Sequence, residues 1–207
     1  MKILLLGASG ATGIQFIEQA INSGHKIFAY VRNPKKLEKY KGKLEIIHNE
    51  LSNVQKLSES VIGKDAVIST LGYKNLWDRS LFVSKAIEII IKKMTVQNSG
   101  RLFYQSAIGI GGNHSLENIV LRTILRTFGV ANPFIDHNKS EKIIKNSTVN
   151  WTIIRTGKLT NGGMKGNYRA GENLSRVIYI SRADVAHFIL TALEDNKWSN
   201  KSVDLSY

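Results

Sequence analysis

MKILLLGASGATG, residues Met1–Gly13, opens with an apolar run of strand length, Lys2–Leu6, followed by glycines at Gly7, Gly10 and Gly13. Ile14, Ile17, Ala20 and Ile21 then recur at helical spacing up to Gly24. Strand, glycine-rich turn and helix, in that order, form the unit on which a parallel α/β sheet holds a dinucleotide pyrophosphate. Glycine lets the backbone bend sharply and come close to phosphate, while the open N–H groups and dipole of the new helix face the negative charge. The spacing is G-x-x-G-x-x-G rather than the commoner G-x-G-x-x-G.

The rest of the chain continues the alternation. Lys26–Val31 reads as a second strand, ended by Arg32, Asn33 and Pro34, and Leu44–His48 as a third. Asn53 is placed to cap a helix through Val54, Leu57 and Val61, which Gly63 stops. Asp65–Thr70 is the fourth strand, ending at Leu71 and Gly72. A long helix is expected from Asp78 to about Gln97, with an apolar stripe wide enough for burial on two sides or a subunit contact. Arg101–Gln105 is the fifth strand, followed by Ser106 and a glycine-rich loop, Gly109–Gly112. Helices are expected through Ile119–Phe128 and from Pro133 through Ile144, then a strand at Asn150–Arg155 and a turn at Asn161–Gly163. A short strand at Val177–Ile180, a helix over Arg182–Leu193 and a strand at Ser202–Leu205 complete the chain. The pattern specifies an α/β fold, a Rossmann-type doubly wound parallel sheet. Residues 1–207 form a single domain, with a small C-terminal portion on the substrate side.

Composition narrows the function. At 207 residues, 43% hydrophobic and 22% charged, the chain is an ordinary globular sequence with enough apolar material for a core. It has no cysteine, which excludes disulfides, zinc–thiolate sites and cysteine nucleophiles, and no metal site is nominated. No apolar run reaches the ~18 residues of a membrane span, and Ile3–Leu6 is too short for a signal-peptide core. A cytoplasmic protein is expected. The formal charge of +13 admits a polyanionic ligand. A nucleic-acid role is disfavoured because the clustered lysines lack interleaved aromatic residues that could stack bases.

The end of the second strand bears on the choice of cofactor. NAD calls for an acidic residue there to accept hydrogen bonds from the adenosine ribose 2′-OH. This chain has Val31-Arg32-Asn33-Pro34-Lys35 and no acid until Glu38. Arg32 could instead pair with a 2′-phosphate, supported by Lys35 and Lys36, which favours NADP, with NADPH bound in preference to NADH. Ligands in such sheets line the carboxyl ends of the strands. Glu50 and Leu51 are therefore placed beside the adenine, and Leu71 and Gly72 beneath the middle of the cofactor.

Together these residues resemble the atypical short-chain dehydrogenase/reductases of the small NAD(P)H-binding kind, the NmrA-like and biliverdin-IXβ reductase (flavin reductase)-like family. The resemblance rests on GASGATG at Gly7–Gly13, VRNPKKL at Val31–Leu37, LG at Leu71–Gly72 and SA at Ser106–Ala107. WTIIRTGKL at Trp151–Leu159 and ISRADVAHFIL at Ile180–Leu190 extend it over nearly the whole chain. It implies cofactor contacts from Gly7, Ser9, Gly10, Ala11, Thr12, Gly13, Arg32, Lys36, Glu50, Leu51, Leu71, Gly72 and Ser106. The chain departs from the family at Asn49-Glu50, where Gly-Asp is common, and at Thr156, where Pro often stands. The Tyr-x-x-x-Lys pair of typical short-chain dehydrogenases is absent, since no tyrosine here has a lysine four residues on.

The remaining candidates for chemistry are Ser106, whose hydroxyl could bond to the nicotinamide amide or to substrate, and His137, in Asp136-His137-Asn138-Lys139, as an acid or charge partner. Lys142 and Lys158 could face an anionic substrate, and His187 reads as helix packing. The expected function is an NADPH-dependent oxidoreductase passing hydride to a conjugated small-molecule electron acceptor such as a flavin, quinone or tetrapyrrole. A non-catalytic NADP-binding redox sensor of the NmrA-like type is the alternative. Sugar-nucleotide epimerase chemistry is disfavoured by the missing tyrosine–lysine pair. A monomer or homodimer is expected.

Overall fold

The computed structural model describes residues 1–73, 75, 77–78, 80–98, 100–110 and 132–207. The helix expected through Ile119–Phe128, and the end of the glycine-rich loop before it, lie outside the described residues. The first strand, β1 (Lys2–Leu6), has Ile3 to Leu6 all fully buried, as a strand covered on both faces must be. Helix α1 (Ala11–Asn22) lays Phe16, Ile17 and Ala20 onto the sheet, with Ile14 and Ile21 partly buried beside them. Parallel strands β2 (Lys26–Val31), β3 (Glu45–His48), β4 (Ala66–Ser69), β5 (Arg101–Ala107) and β6 (Asn150–Thr156) follow. The last strand, β10 (Lys201–Ser206), pairs parallel to β6, and β8 (Arg169–Gly171) pairs antiparallel to β10. The order across the sheet is β3-β2-β1-β4-β5-β6-β10-β8.

Two apolar cores cover the sheet. One holds α1 and α5 (Arg182–Glu194) against Ile3, Leu5, Ile27, Phe103, Ile154 and Val203. The other holds α2 (Val54–Ser60), α3 (Phe82–Gln97) and α4 (Asn132–Lys145) against residues of the opposite parity, including Leu4, Val67, Tyr104 and Ile153. This alternation is the two-residue period of a strand expressed through the whole sheet. The wide stripe of α3 is used within the chain, where Val83, Ala86, Ile87, Ile90, Ile91 and Met94 are buried in this second core.

Local signals explain most boundaries. Asn53 accepts the Lys56 N–H at 3.0 Å and caps α2. Ser181 caps α5, its Oγ accepting the Asp184 N–H at 3.0 Å and donating to the Asp184 carboxylate at 2.9 Å. A 3-10 helix, Pro34–Tyr40, follows β2 and is capped by the Asn33 side chain. Helix α3 departs from expectation by starting at Phe82 rather than Asp78, because Leu81 takes a left-handed conformation. Two short strands were not expected, β7 (Lys158–Thr160) and β8. The former pairs parallel with β9 (Tyr179–Ser181), and Gly157 permits the approach, since a Cβ there would lie 2.4 Å from the Ile178 carbonyl oxygen.

Candidate functional site

The strand order reverses at β1, which is flanked by β2 on one side and β4 on the other, so a crevice opens at the carboxyl ends of β1 and β4. The glycine turn sits at its mouth. Gly7 has φ +76, and a Cβ there would meet the Thr70 backbone at 2.7 Å. A Cβ on Gly13 would lie 2.4 Å from the Gly7 oxygen, so this glycine sets how closely α1 approaches β1. The Gly10 N–H closes the turn onto the Gly7 carbonyl at 2.8 Å, and no side chain caps α1. Its first turn carries no acidic residue. A helix start without a side-chain cap, at the edge of a crevice and reached through glycines, has the features of a pyrophosphate cradle.

The other nominated residues follow the carboxyl ends of β2, β3 and β4. Arg32, exposed, follows β2, and its carbonyl accepts the His48 Nε2–H at 3.0 Å. Lys36 is exposed on the 3-10 helix. The loop after β3 is held by the Tyr30 hydroxyl, which donates to the Glu50 carbonyl at 2.9 Å; Glu50 itself is exposed and Leu51 half-buried. Leu71 is half-buried after β4, and Gly72 is exposed. Ser9 is half-buried, Ala11 exposed and Thr12 buried. Thr70 donates its N–H and its hydroxyl to the Leu6 carbonyl, at 3.0 and 3.1 Å, tying β4 to the turn.

On the far side of the crevice the structure places a buried polar cluster that sequence reasoning missed. Ser106, 4% exposed, donates its hydroxyl to Glu141 at 2.8 Å. Glu141 has no exposed surface, and Arg155 from β6 meets both its oxygens, at 3.1 and 2.6 Å, with Lys145 at 3.3 Å. Burial pushes the Glu141 carboxyl up, but Arg155, Ser106 and Lys145 outweigh it and hold the group below the usual carboxylate range. The hydroxyl proton of Ser106 is therefore committed to the protein, and its lone pairs are what it can offer a ligand.

His137, half-buried on α4, receives the Tyr104 hydroxyl at Nδ1, 2.5 Å away. Burial lowers the imidazole pKa, and burial raises that of Tyr104 well above its ordinary value. A neutral histidine facing a protonated tyrosine accepts at Nδ1 and carries its own proton on Nε2. Beside it Asp136, fully buried, accepts the Tyr73 hydroxyl at 2.5 Å and the backbone N–H groups of Val83 and Ser84. Lys142 and Lys158 are exposed, and His187 packs against Tyr168, its Nδ1 at 2.9 Å from the hydroxyl. The missed residues Glu141, Tyr73 and Tyr104 carry no local signature, because each is defined by a partner far along the chain.

A mostly parallel sheet with its crevice at the point where strand order reverses defines a Rossmann-type nucleotide-binding protein. The chain belongs to the NAD(P)H-binding family, whose model matches residues 7–196. It is 30% identical, over all of its length and 94% of the relative's, to a Bacillus subtilis protein named uncharacterized sugar epimerase YhfK. Its fold is similar to that of ChuY, an anaerobilin reductase from Escherichia coli, at a TM-score of 0.81 and 18% identity, covering 100% and 97% of the two chains. A wide-type short-chain dehydrogenase/reductase from Veillonella parvula, solved in complex with NADP, matches at a TM-score of 0.78 and 18% identity, covering 100% and 94%. Among the described residues no helix is long and apolar enough to cross a membrane.

Proposed function

We propose that this protein is an NADPH-dependent reductase acting on a flat, conjugated acceptor such as a flavin, a quinone or a linear tetrapyrrole. The observation that carries the cofactor assignment is Arg32, exposed at the end of β2 where an NAD site would present a carboxylate. Its guanidinium can take a 2′-phosphate in a bidentate, charge-assisted pair, with Lys36 deepening the positive field. The pyrophosphate lies against the first turn of α1, admitted by Gly7, Gly10 and Gly13, with Ser9, Ala11 and Thr12 supplying the rest of the turn. Glu50 and Leu51 border the adenine, and Leu71 and Gly72 the middle of the dinucleotide.

When bound, the nicotinamide supplies the hydride. Ser106, its proton held by Glu141, accepts a hydrogen bond from the nicotinamide carboxamide and so orients the ring. His137 presents a neutral Nε2–H as a donor to a carbonyl oxygen. A flavin or quinone can take its proton from water, so such an acceptor is compatible with a site that lacks a tyrosine–lysine pair. The likeness to an anaerobilin reductase supports the same acceptor class. The epimerase name of the Bacillus subtilis relative is not carried over, because the tyrosine–lysine pair is missing.

One observation favours a second reading. The polar groups nearest the proposed nicotinamide position, Ser106 and His137, are both engaged by the protein, as suits a redox sensor that binds NADPH without turnover. Two measurements test these readings. Fluorescence titration should give tighter binding of NADPH than NADH, with Arg32→Ala removing most of the difference; equal affinities in the wild type would sink the NADP assignment. Adding FMN or a simple quinone should produce steady NADPH oxidation, and tight binding with no turnover over a panel of acceptors selects the sensor.

A further inference from the structure

Helix α3 has no N-terminal cap of its own. Leu81, at its cap position, is left-handed with φ 49° and ψ 38°, and no side chain there reaches the open N–H groups of the first turn. Two of those groups are satisfied from another helix. Asp136 of α4 accepts the Val83 N–H at 2.9 Å and the Ser84 N–H at 3.0 Å. The same carboxylate accepts the Tyr73 hydroxyl, and the Tyr73 ring packs on Phe82 with centroids 4.7 Å apart. One buried carboxylate therefore joins the loop after β4, the start of α3 and α4.

Among the described residues, hydrogen bonding joins the loop to the helices at that junction, while Leu71 and Tyr73 also pack against the second core. Among its described residues from Leu71 to Ser80, the remaining hydrogen bonds run within the loop: Trp77 N–H to Asn75 Oδ1, Asp78 N–H to the Asn75 carbonyl and Ser80 N–H to Asp78 Oδ1. Among these described residues, the Tyr73 hydroxyl is the hydrogen-bonding tether that leaves the loop. Gly72, immediately before, is exposed and has open space where a side chain would stand.

We propose that Tyr73 and Asp136 are positioning residues for the dinucleotide, clamping Leu71 and Gly72 in the shape that the cofactor meets. This rests on the cofactor reading given above and adds to it the device that sets the loop. The buried carboxylate makes the clamp stiff, because each of its three donors would otherwise be left without an equivalent acceptor. Holding the loop before binding removes an ordering cost from the binding step.

Calorimetric titration with NADPH alone, with no acceptor present, tests the clamp apart from any turnover. Tyr73→Phe keeps the ring against Phe82 and removes the tether; it should weaken NADPH binding by about fivefold to tenfold, the ordering cost that the loosened loop adds to the binding step. Thr152→Val serves as the stability control. It removes the bonds that the Thr152 hydroxyl makes to the Trp198 carbonyl and to Arg101, near the opposite end of β6. It should lower the melting temperature and leave NADPH affinity unchanged. Asp136→Asn should retain part of the affinity that Asp136→Ala loses. Wild-type affinity in Tyr73→Phe, or an equal loss in Thr152→Val, overturns the proposal. A wild-type chain that binds neither NADPH nor NADH overturns the cofactor reading itself, and the clamp with it.

Discussion

Glu141 lies fully inside the second core, and its charge is tolerable there only because Arg155, Lys145 and the Ser106 hydroxyl surround it. Removing one cation from a buried pair strands the other partner, so Arg155→Leu should cost about 3–5 kcal/mol in urea unfolding. Ser106→Ala leaves both cations in place and should cost about 1–3 kcal/mol. A cost for Arg155→Leu no larger than for Ser106→Ala would show that the pair is not the anchor of this cluster. Asp204, opposite Arg155 in the β6–β10 register, shows the reverse condition. It is fully buried, its Oδ1 has no hydrogen-bond partner, and burial raises its pKa. His137 titrates in a third sense. Burial holds its pKa below the ordinary 6.5, so between the two values the unfolded chain binds a proton that the folded chain refuses. Stability is then complete above about pH 6.5 and falls as the pH drops below it. Urea midpoints measured from pH 8 to pH 5 should fall less steeply in His137→Gln than in the wild type, with His25, also lowered by burial, keeping part of the slope in both. Parallel slopes would remove His137 from the acid response.

The elements differ in how far they could be read from the sequence. The first two strands were legible to the residue, because four or five consecutive apolar positions bounded by glycine or Arg-Asn-Pro leave little choice. The glycine turn was equally plain, and its consequence is sharp. Gly13→Ala would push a methyl group to 2.4 Å from the Gly7 oxygen, whereas Gly10→Ala meets the same atom at 3.0 Å. Since backbone occupies the space, Gly13→Ala should separate α1 from β1, lower the melting temperature well beyond Gly10→Ala, and weaken dinucleotide binding. Equal stability of the two variants would contradict that geometry. The start of α3 was not legible, since its cap comes from Asp136, more than fifty residues on. The strands β7 and β8 were missed because three residues carry no period, and their partners lie on other parts of the chain. The pair Glu141–Arg155 was hidden for a related reason. Charged residues on a helix and at a strand end read as solvated until the strand order brings them together.

At the scale of the whole molecule, the segment from Lys158 to Ser181 is fastened to the sheet by a few residues. Tyr207 packs its ring against Tyr179 at 5.3 Å, donates its hydroxyl to Asp184, and gives its carbonyl to Arg169 at 3.0 Å. Asp184 in turn accepts the N–H groups of Lys165 and Gly166 at 2.9 and 2.8 Å. Tyr207→Ala should therefore raise hydrogen exchange over Lys158–Gly166 and Tyr179–Ser181 while leaving β1 to β5 protected; unchanged exchange there would mean that Arg169 and Asp184 suffice.

The two borders of the sheet carry a further consequence. One border is β8, three residues long, and the other is β3, four residues long, with Glu45 paired to Lys26 at 2.6 Å. Neither offers the long, flat, uncharged row of open backbone groups on which foreign strands nucleate. Among the described residues, then, the sheet borders discourage copies of this chain from joining edge to edge.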